Sequence, residues 1–356
     1  MKKRLRWIKV ISASLLLLFV TPSFSHAGSA PEHKKVIFQT TQFGRAFYDY
    51  AFAYEDLTRK SGSWVELKAE ETPGGMFMAK SYHDNLDKMI SGEKPWVVQY
   101  GSTNSTLFIK NGWGPFKDVA IPGLRVFSTI FCRINLLCTF DPEIKTAKDL
   151  AGKRVAIATK AEPFNSTLKY LPYFSKGLGV EVDWQYIGID QGKDALLNGS
   201  VNATVCTFTG EYELAPDGKT FVITKAAPDS ATMQLLASGR KLYLIPFDPA
   251  LLKFAYQGEN MMVLEPALVK AGAAEGIEAD AMGLCEFMYM FCDEKIPEDI
   301  LVELIKVRYE NAEKFGDYNA SFKMQPKNPF PAGAPKDLIH PVVYKAAKEL
   351  GFKVIE

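Results

Sequence analysis

The residues of this chain best suited to chemistry are two arginines and a recurring set of short polar loops. Arg45 follows Thr40-Thr41-Gln42 at the start of a helical pattern, and Arg133 lies inside the apolar run Phe131 to Phe140. A guanidinium fork matches a carboxylate, so Arg45 reads either as a charge contact to an anion or as a solvated or structural residue at a helix start. An arginine in an apolar run needs an acidic or anionic partner, so Arg133 reads as a ligand contact or as the exposed member of an edge strand. The loops supply Thr41 and Gln42, then Thr72, Gly74 and Gly75 in a tight turn, then Gln99 and Tyr100 at a strand end. Thr159, Asn165, Ser166 and Thr167 follow, and then Phe208 in the segment Thr207 to Glu211. Helix starts at Arg45, Met76 and Ser166 would present free N–H groups and positive dipole ends, which suit a carboxylate without a buried cation. Phe208 and Phe164 either close over an apolar part of such a ligand or pack in the core.

Enzymatic readings find little support. Beyond His26 the histidines are His33, His83 and His340, and there is no nucleophile elbow, phosphate loop or zinc spacing. Glu70 and Glu71 are neighbours in a strand and point to opposite faces, which rules them out as a catalytic pair. No catalytic residue, cofactor or metal is expected.

The elements that must position these loops alternate. Val36 to Thr40 reads as a strand and Phe43 to Lys60 as a helix, with Phe47, Tyr50, Ala51, Tyr54 and Leu57 at helical spacing. Val65 to Ala69, Met76 to Ile90 and Trp96 to Tyr100 repeat the strand–helix–strand order. A long apolar stretch runs from Arg125 to Phe140. A glycine-stopped helical turn then leads into the strand Val155 to Ala158. Further strands are expected at Trp184 to Ile187, Ala203 to Phe208, Lys241 to Ile245 and Met282 to Phe291. Helices are expected up to Lys176 and at Gly192 to Leu197, Pro297 to Phe315 and Pro341 to Leu350. This alternation implies an α/β fold with parallel-rich sheets covered by helices.

Composition bounds the setting. Five of the 42 Lys and Arg lie in the first nine residues, ahead of the apolar run Val10 to Val20 and small residues near Ala27. That is the pattern of an export signal over residues 1–27, cleaved before Gly28 and implying a periplasmic protein. The remaining 37 basic groups face 41 acidic ones, a net of −4, with no basic stripe to attract nucleic acid. Five cysteines, Cys132, Cys138, Cys206, Cys285 and Cys292, leave at least one thiol unpaired in an oxidising compartment. Cys132 and Cys138 are too far apart along one strand to join each other. They are expected as buried thiols, or one of them bridges to Cys285 or Cys292 if the two segments are neighbouring strands.

Several runs together resemble the TAXI family of solute-binding proteins that serve TRAP-type transporters. They are Ser91-Gly92-Glu93 before Trp96 to Tyr100, Ile144 to Val155, Ala195 to Ala203, Ile296-Pro297-Glu298-Asp299, and His340-Pro341. The family's opening glycine-rich loop is replaced here by Gln39 to Tyr48, which leaves contacts to the side chains of Thr41, Gln42 and Arg45. The resemblance implies a two-lobed type II periplasmic binding protein fold: lobe 1 from residues 28–130 and 281–356, and lobe 2 from 131–280. Arg125 to Phe140 and Ala281 to Cys292 would cross between the lobes as a hinge. It also implies a monomer that captures a small, carboxylate-bearing solute by hinge closure and delivers it to the membrane permease subunits of a TRAP-type transporter. An ABC permease or a sensory membrane receptor is the alternative partner.

Overall fold

The computed structural model describes residues 33–43, 46–160, 169–218, 220–256 and 265–355. The chain divides into two units, Met1–Glu32 and His33–Glu356, and every described element belongs to the second. The export signal expected over residues 1–27 lies outside the described residues.

The strand–helix alternation is present from the start: β1 (Lys34–Thr40), α1 (Ala46–Lys60), β2 (Val65–Glu71), α2 (Gly75–Ile90), β3 (Trp96–Ser102) and α3 (Thr103–Asn111). In α1 the helical stripe Tyr50, Tyr54 and Leu57 is buried, as its spacing predicts. Helix α3 is capped by Ser102, whose hydroxyl accepts from the Ser105 N–H at 3.2 Å. It stops at Gly112, whose φ of 65° is the left-handed conformation that ends helices.

The long strand β4 (Leu124–Thr139) leads to β5 (Arg154–Ile157), the short helix α4 (Tyr170–Pro172) with a wider helical turn to Leu178, β6 (Asp183–Tyr186) and α5 (Ile189–Leu197). Then come β7 (Thr204–Leu214), β8 (Phe221–Pro228), α6 (Ser230–Leu236), β9 (Tyr243–Ile245), β10 (Glu265–Val269), β11 (Ala281–Asp293), α7 (Glu298–Glu310) and α8 (Val342–Leu350).

Nine strands form one sheet in the order β2-β1-β3-β11-β10-β8-β7-β4-β9, and β5 and β6 form a parallel pair of their own. The parallel partners that the alternation predicts are found at β1–β2 and β1–β3. The long strands β4 and β11 add antiparallel neighbours, including each other. Because β11 pairs with β4 as well as with β10, the path β11–β10–β8–β7–β4 closes into a ring. Phe287 of β11 meets Tyr212 of β7 and Phe221 of β8, strands it does not pair with, so these rings fill the interior. Gly210 and Gly283 leave room there for Ile134, since a Cβ on either would lie within 3.0 Å of its side chain.

A separate, smaller hydrophobic cluster gathers Leu137, Val155, Ile157, Tyr170, Phe174 and Phe247 around β5 and α4. Cys132 joins Cys285 across β4 and β11, and Cys138 joins Cys206 across β4 and β7, which leaves Cys292 as a buried free thiol. The first of these bridges is one of the pairings weighed from the sequence. The second links segments that sequence alone does not place side by side.

Candidate functional site

Alternation along β4 decides which way its residues look. Cys132, Ile134 and Leu136 belong to the ring side, so Arg133 and Asn135 face outward. Both pair in register with β7, opposite Thr209 and Thr207, and with β11, opposite Glu286 and Leu284. Arg133 therefore sits on a central strand, not an edge one.

Its partner is Glu286. The Arg133 guanidinium donates to Glu286 Oε2 at 2.7 Å, and the Lys169 ammonium lies 3.2 Å from the same oxygen. The Asn135 amide donates to that oxygen at 3.4 Å, and Thr207 donates to Asn135 Oδ1 at 3.3 Å. Glu286 and Lys169 are buried, and only Arg133, with 24% of its side chain exposed, reaches solvent. Burial raises the Glu286 carboxyl, but the positive charges of Lys169 and Arg133 and their hydrogen bonds outweigh it and hold it down at about 2. Lys169 is shifted down by its own desolvation and by the Arg133 charge, against the pull of Glu286. Among the described residues, Lys169 and Arg133 share the one Glu286 carboxylate, with Arg133 at the solvent-facing end.

Aromatic rings continue this face toward β3. Phe131, two residues before Arg133, stacks on Phe47 at 5.5 Å, and Phe47 stacks on Tyr100 at 3.9 Å. Tyr100 and Arg133 thus share one surface, joined by Phe47 of α1.

The remaining expected residues fall into two groups. Gln99 and Thr72 are buried and engaged within the fold: Gln99 Nε2 donates to Gln39 Oε1 and to the Met78 carbonyl, both at 2.8 Å. Thr72 donates its N–H and hydroxyl to the Thr40 carbonyl at 2.9 and 2.7 Å. Beside them, Thr41 Oγ1 and Gln99 Oε1 are buried without a hydrogen-bond partner. Gly74, with φ 135°, precedes Gly75 at the start of α2, where no side chain caps the helix. Gln42 is exposed on the same loop as Thr41. Thr159 follows β5 and is half-buried. Phe208 is fully buried on the ring side of β7, opposite Ile134, and points away from Arg133. Arg45, Asn165, Ser166 and Thr167 lie outside the described residues, as do Glu162 and Phe164.

Glu286, Lys169, Asn135 and Thr207 were not singled out from the sequence. A signal for the first did exist: Glu286 is the lone charge within the apolar run Ala281 to Cys292, mirroring Arg133 in the other long run. Among the described residues, no group of three His, Cys, Asp or Glu is placed to hold a metal ion.

The structure superposes on a TctC solute-binding protein from Polaromonas with a TM-score of 0.52 and 12% identity, covering 83% of this chain and 91% of that one. A likeness at that level shows the fold, which is the two-lobed α/β fold of periplasmic binding proteins. A periplasmic sulfonate-binding protein of a putative sulfonate ABC transporter, from Methylobacillus flagellatus, aligns with a TM-score of 0.49 and 12% identity over 90% of this chain and 96% of that one. The chain belongs to the NMT1-like family, whose pattern it matches over residues 110–351. Compared by sequence with curated proteins, it has no significant match.

Proposed function

We propose that this chain is a periplasmic solute-binding protein that binds, without transforming, a small carboxylate-bearing solute and delivers it to a membrane permease of the TRAP type. The observation that carries the reading is the Arg133–Glu286–Lys169 group, in which the buried Glu286 carboxylate is shared by the buried Lys169 and by Arg133, the member that reaches solvent. An anion docked at that end would gain a guanidinium partner without requiring a new charge to be buried. The aromatic face of Phe131, Phe47 and Tyr100 offers apolar cover beside it, and the uncapped start of α2 with Thr41 offers N–H and hydroxyl groups. The shared fold and the family support solute binding. The TRAP partner rests on the resemblance of the TAXI-like runs.

Two lobes, residues 28–130 with 281–356 and residues 131–280, would close about β4 and β11, the strands that carry Arg133 and Glu286. Contacts from both lobes then favour the closed form, which the permease reads. The test is a thermal-shift panel of the purified protein against monocarboxylates, dicarboxylates, keto acids, amino acids and sulfonates. A carboxylate at 100 times its dissociation constant adds about 2.7 kcal/mol, and Arg133→Gln abolishes that shift. A response confined to sulfonates, or one indifferent to Arg133→Gln, would overturn the carboxylate reading.

A further inference from the structure

The outer face of α1 carries aromatic rings that the core does not use. At about 3.6 residues per turn, Tyr48, Asp49 and Phe52 fall on one side of the helix, and the buried Tyr50, Tyr54 and Leu57 on the other. Phe43 and Phe52 keep 76% and 49% of their surface in solvent, although burying such rings is favourable. Tyr318, from the segment that follows α7, lies beside them. Phe43 meets Tyr48 with ring centroids 5.3 Å apart and planes at 77°, and Phe52 meets Tyr318 at 6.4 Å and 72°. Rings set nearly at right angles form the walls of a box. The hollow they enclose has a volume of about 320 Å³, and its described lining is Phe43, Tyr48, Asp49, Phe52 and Tyr318. That is the small end of the range of ligand sites, roughly 300–1,000 Å³.

The charge of this lining has one sign. Asp49 is its one charged residue among the described residues, and it forms no ion pair among them. Its Oδ2 accepts from the Asn319 amide at 2.9 Å. Lys60, whose ammonium lies 5.7 Å from the Tyr318 ring centroid, pairs with Asp56 at 2.6 Å and lines a separate hollow. The Tyr318 hydroxyl also donates to Asp56. Residues 318 and 319 thus tie the ring and the carboxylate to α1 before any ligand arrives, which lowers the ordering cost of binding.

Aromatic faces attract a cation through their quadrupoles, and the carboxylate adds a full charge. Rings offer a cation no hydrogen-bond acceptors in place of water, so one clothed in methyl groups loses less on entry than one bearing N–H groups. We infer that this hollow is a second ligand site, an aromatic cage that takes a small, free quaternary ammonium compound. It is separate from the Arg133 group, because Phe47, the ring that joins that surface, does not line it.

The probe is choline, titrated into the purified protein and followed by NMR, with dimethylbutanol, in which carbon replaces the charged nitrogen, as the neutral control. Choline binds at millimolar concentration and the control at least about tenfold more weakly. Phe52→Leu, a change at an exposed position that keeps apolar contact but removes the ring, weakens choline binding about fivefold. Asp49→Asn, which keeps an acceptor for Asn319 and removes the charge, weakens it as well. Absence of choline binding, equal binding of the neutral control, or undiminished binding in both variants would each overturn the assignment. Co-sedimentation with phosphatidylcholine vesicles in the absence of choline binding would give the cage to a lipid headgroup and overturn the free ligand.

Discussion

Replacing Glu286 by Gln keeps its shape and the neighbouring Asn135, but strips the carboxylate from two cations. In the native protein the carboxyl sits at about 2 instead of 4.5, and a difference of that size corresponds to about 3 kcal/mol in favour of the charged form. An independent measure, the loss of one partner from a buried ion pair, gives about 3–5 kcal/mol. Glu286→Gln should therefore lower the unfolding free energy by about 3 kcal/mol at pH 7, read from urea titrations with an unchanged m-value. The pH dependence supplies a second reading. Because the folded-state value is depressed, the unfolded chain takes up the proton first as pH falls. The contribution of Glu286 is complete above about pH 5 and lost as pH drops toward 2. That acid-side slope should be flatter in Glu286→Gln. Lys169 gives the contrast: burial lowers its pKa, so its charge is held at a cost, and Lys169→Met leaves Arg133 to pair with Glu286. Its effect should stay below about 1 kcal/mol. If Glu286→Gln costs less than about 1 kcal/mol and the acid slope is unchanged, the carboxylate is not held by these cations and the argument fails.

Two further outcomes follow from the packing. The Cys138–Cys206 bridge spans 68 residues, so Cys138→Ser with Cys206→Ser should cost about 4 kcal/mol by loop-closure entropy; alkylation of the unfolded, unreduced wild-type protein should label Cys292 alone. Arg308 is fully buried and donates to the carbonyls of Thr129, Pro326 and Lys327. Arg308→Met should destabilise by about 2–3 kcal/mol and speed proteolysis in the 326–330 segment, and an unchanged urea midpoint would exclude that bracing role.

Much of the secondary structure was determined by sequence, because its causes are local. The stripe Tyr50, Tyr54 and Leu57 makes α1, and long, largely apolar runs make β4 and β11. The β7–β8 hairpin was missed, since the apolar pattern alone ends that strand at Phe208. The signal that extends it is also local: Asp217-Gly218, with φ 66° at the glycine. Helices α3 and α6 were missed too, although Ser102 and Asp229 cap them. What only the tertiary structure decided is pairing. Arg133 announces from sequence that it needs an anionic partner, yet Glu286 lies 153 positions away, and nothing in either segment specifies the register that sets them opposite each other. The same holds for Cys206, and for Phe208, whose inward direction follows from the closure of five strands into a ring. A side chain's need is written in its own chemistry, whereas the partner that answers it depends on strand order, and strand order is a property of the whole core.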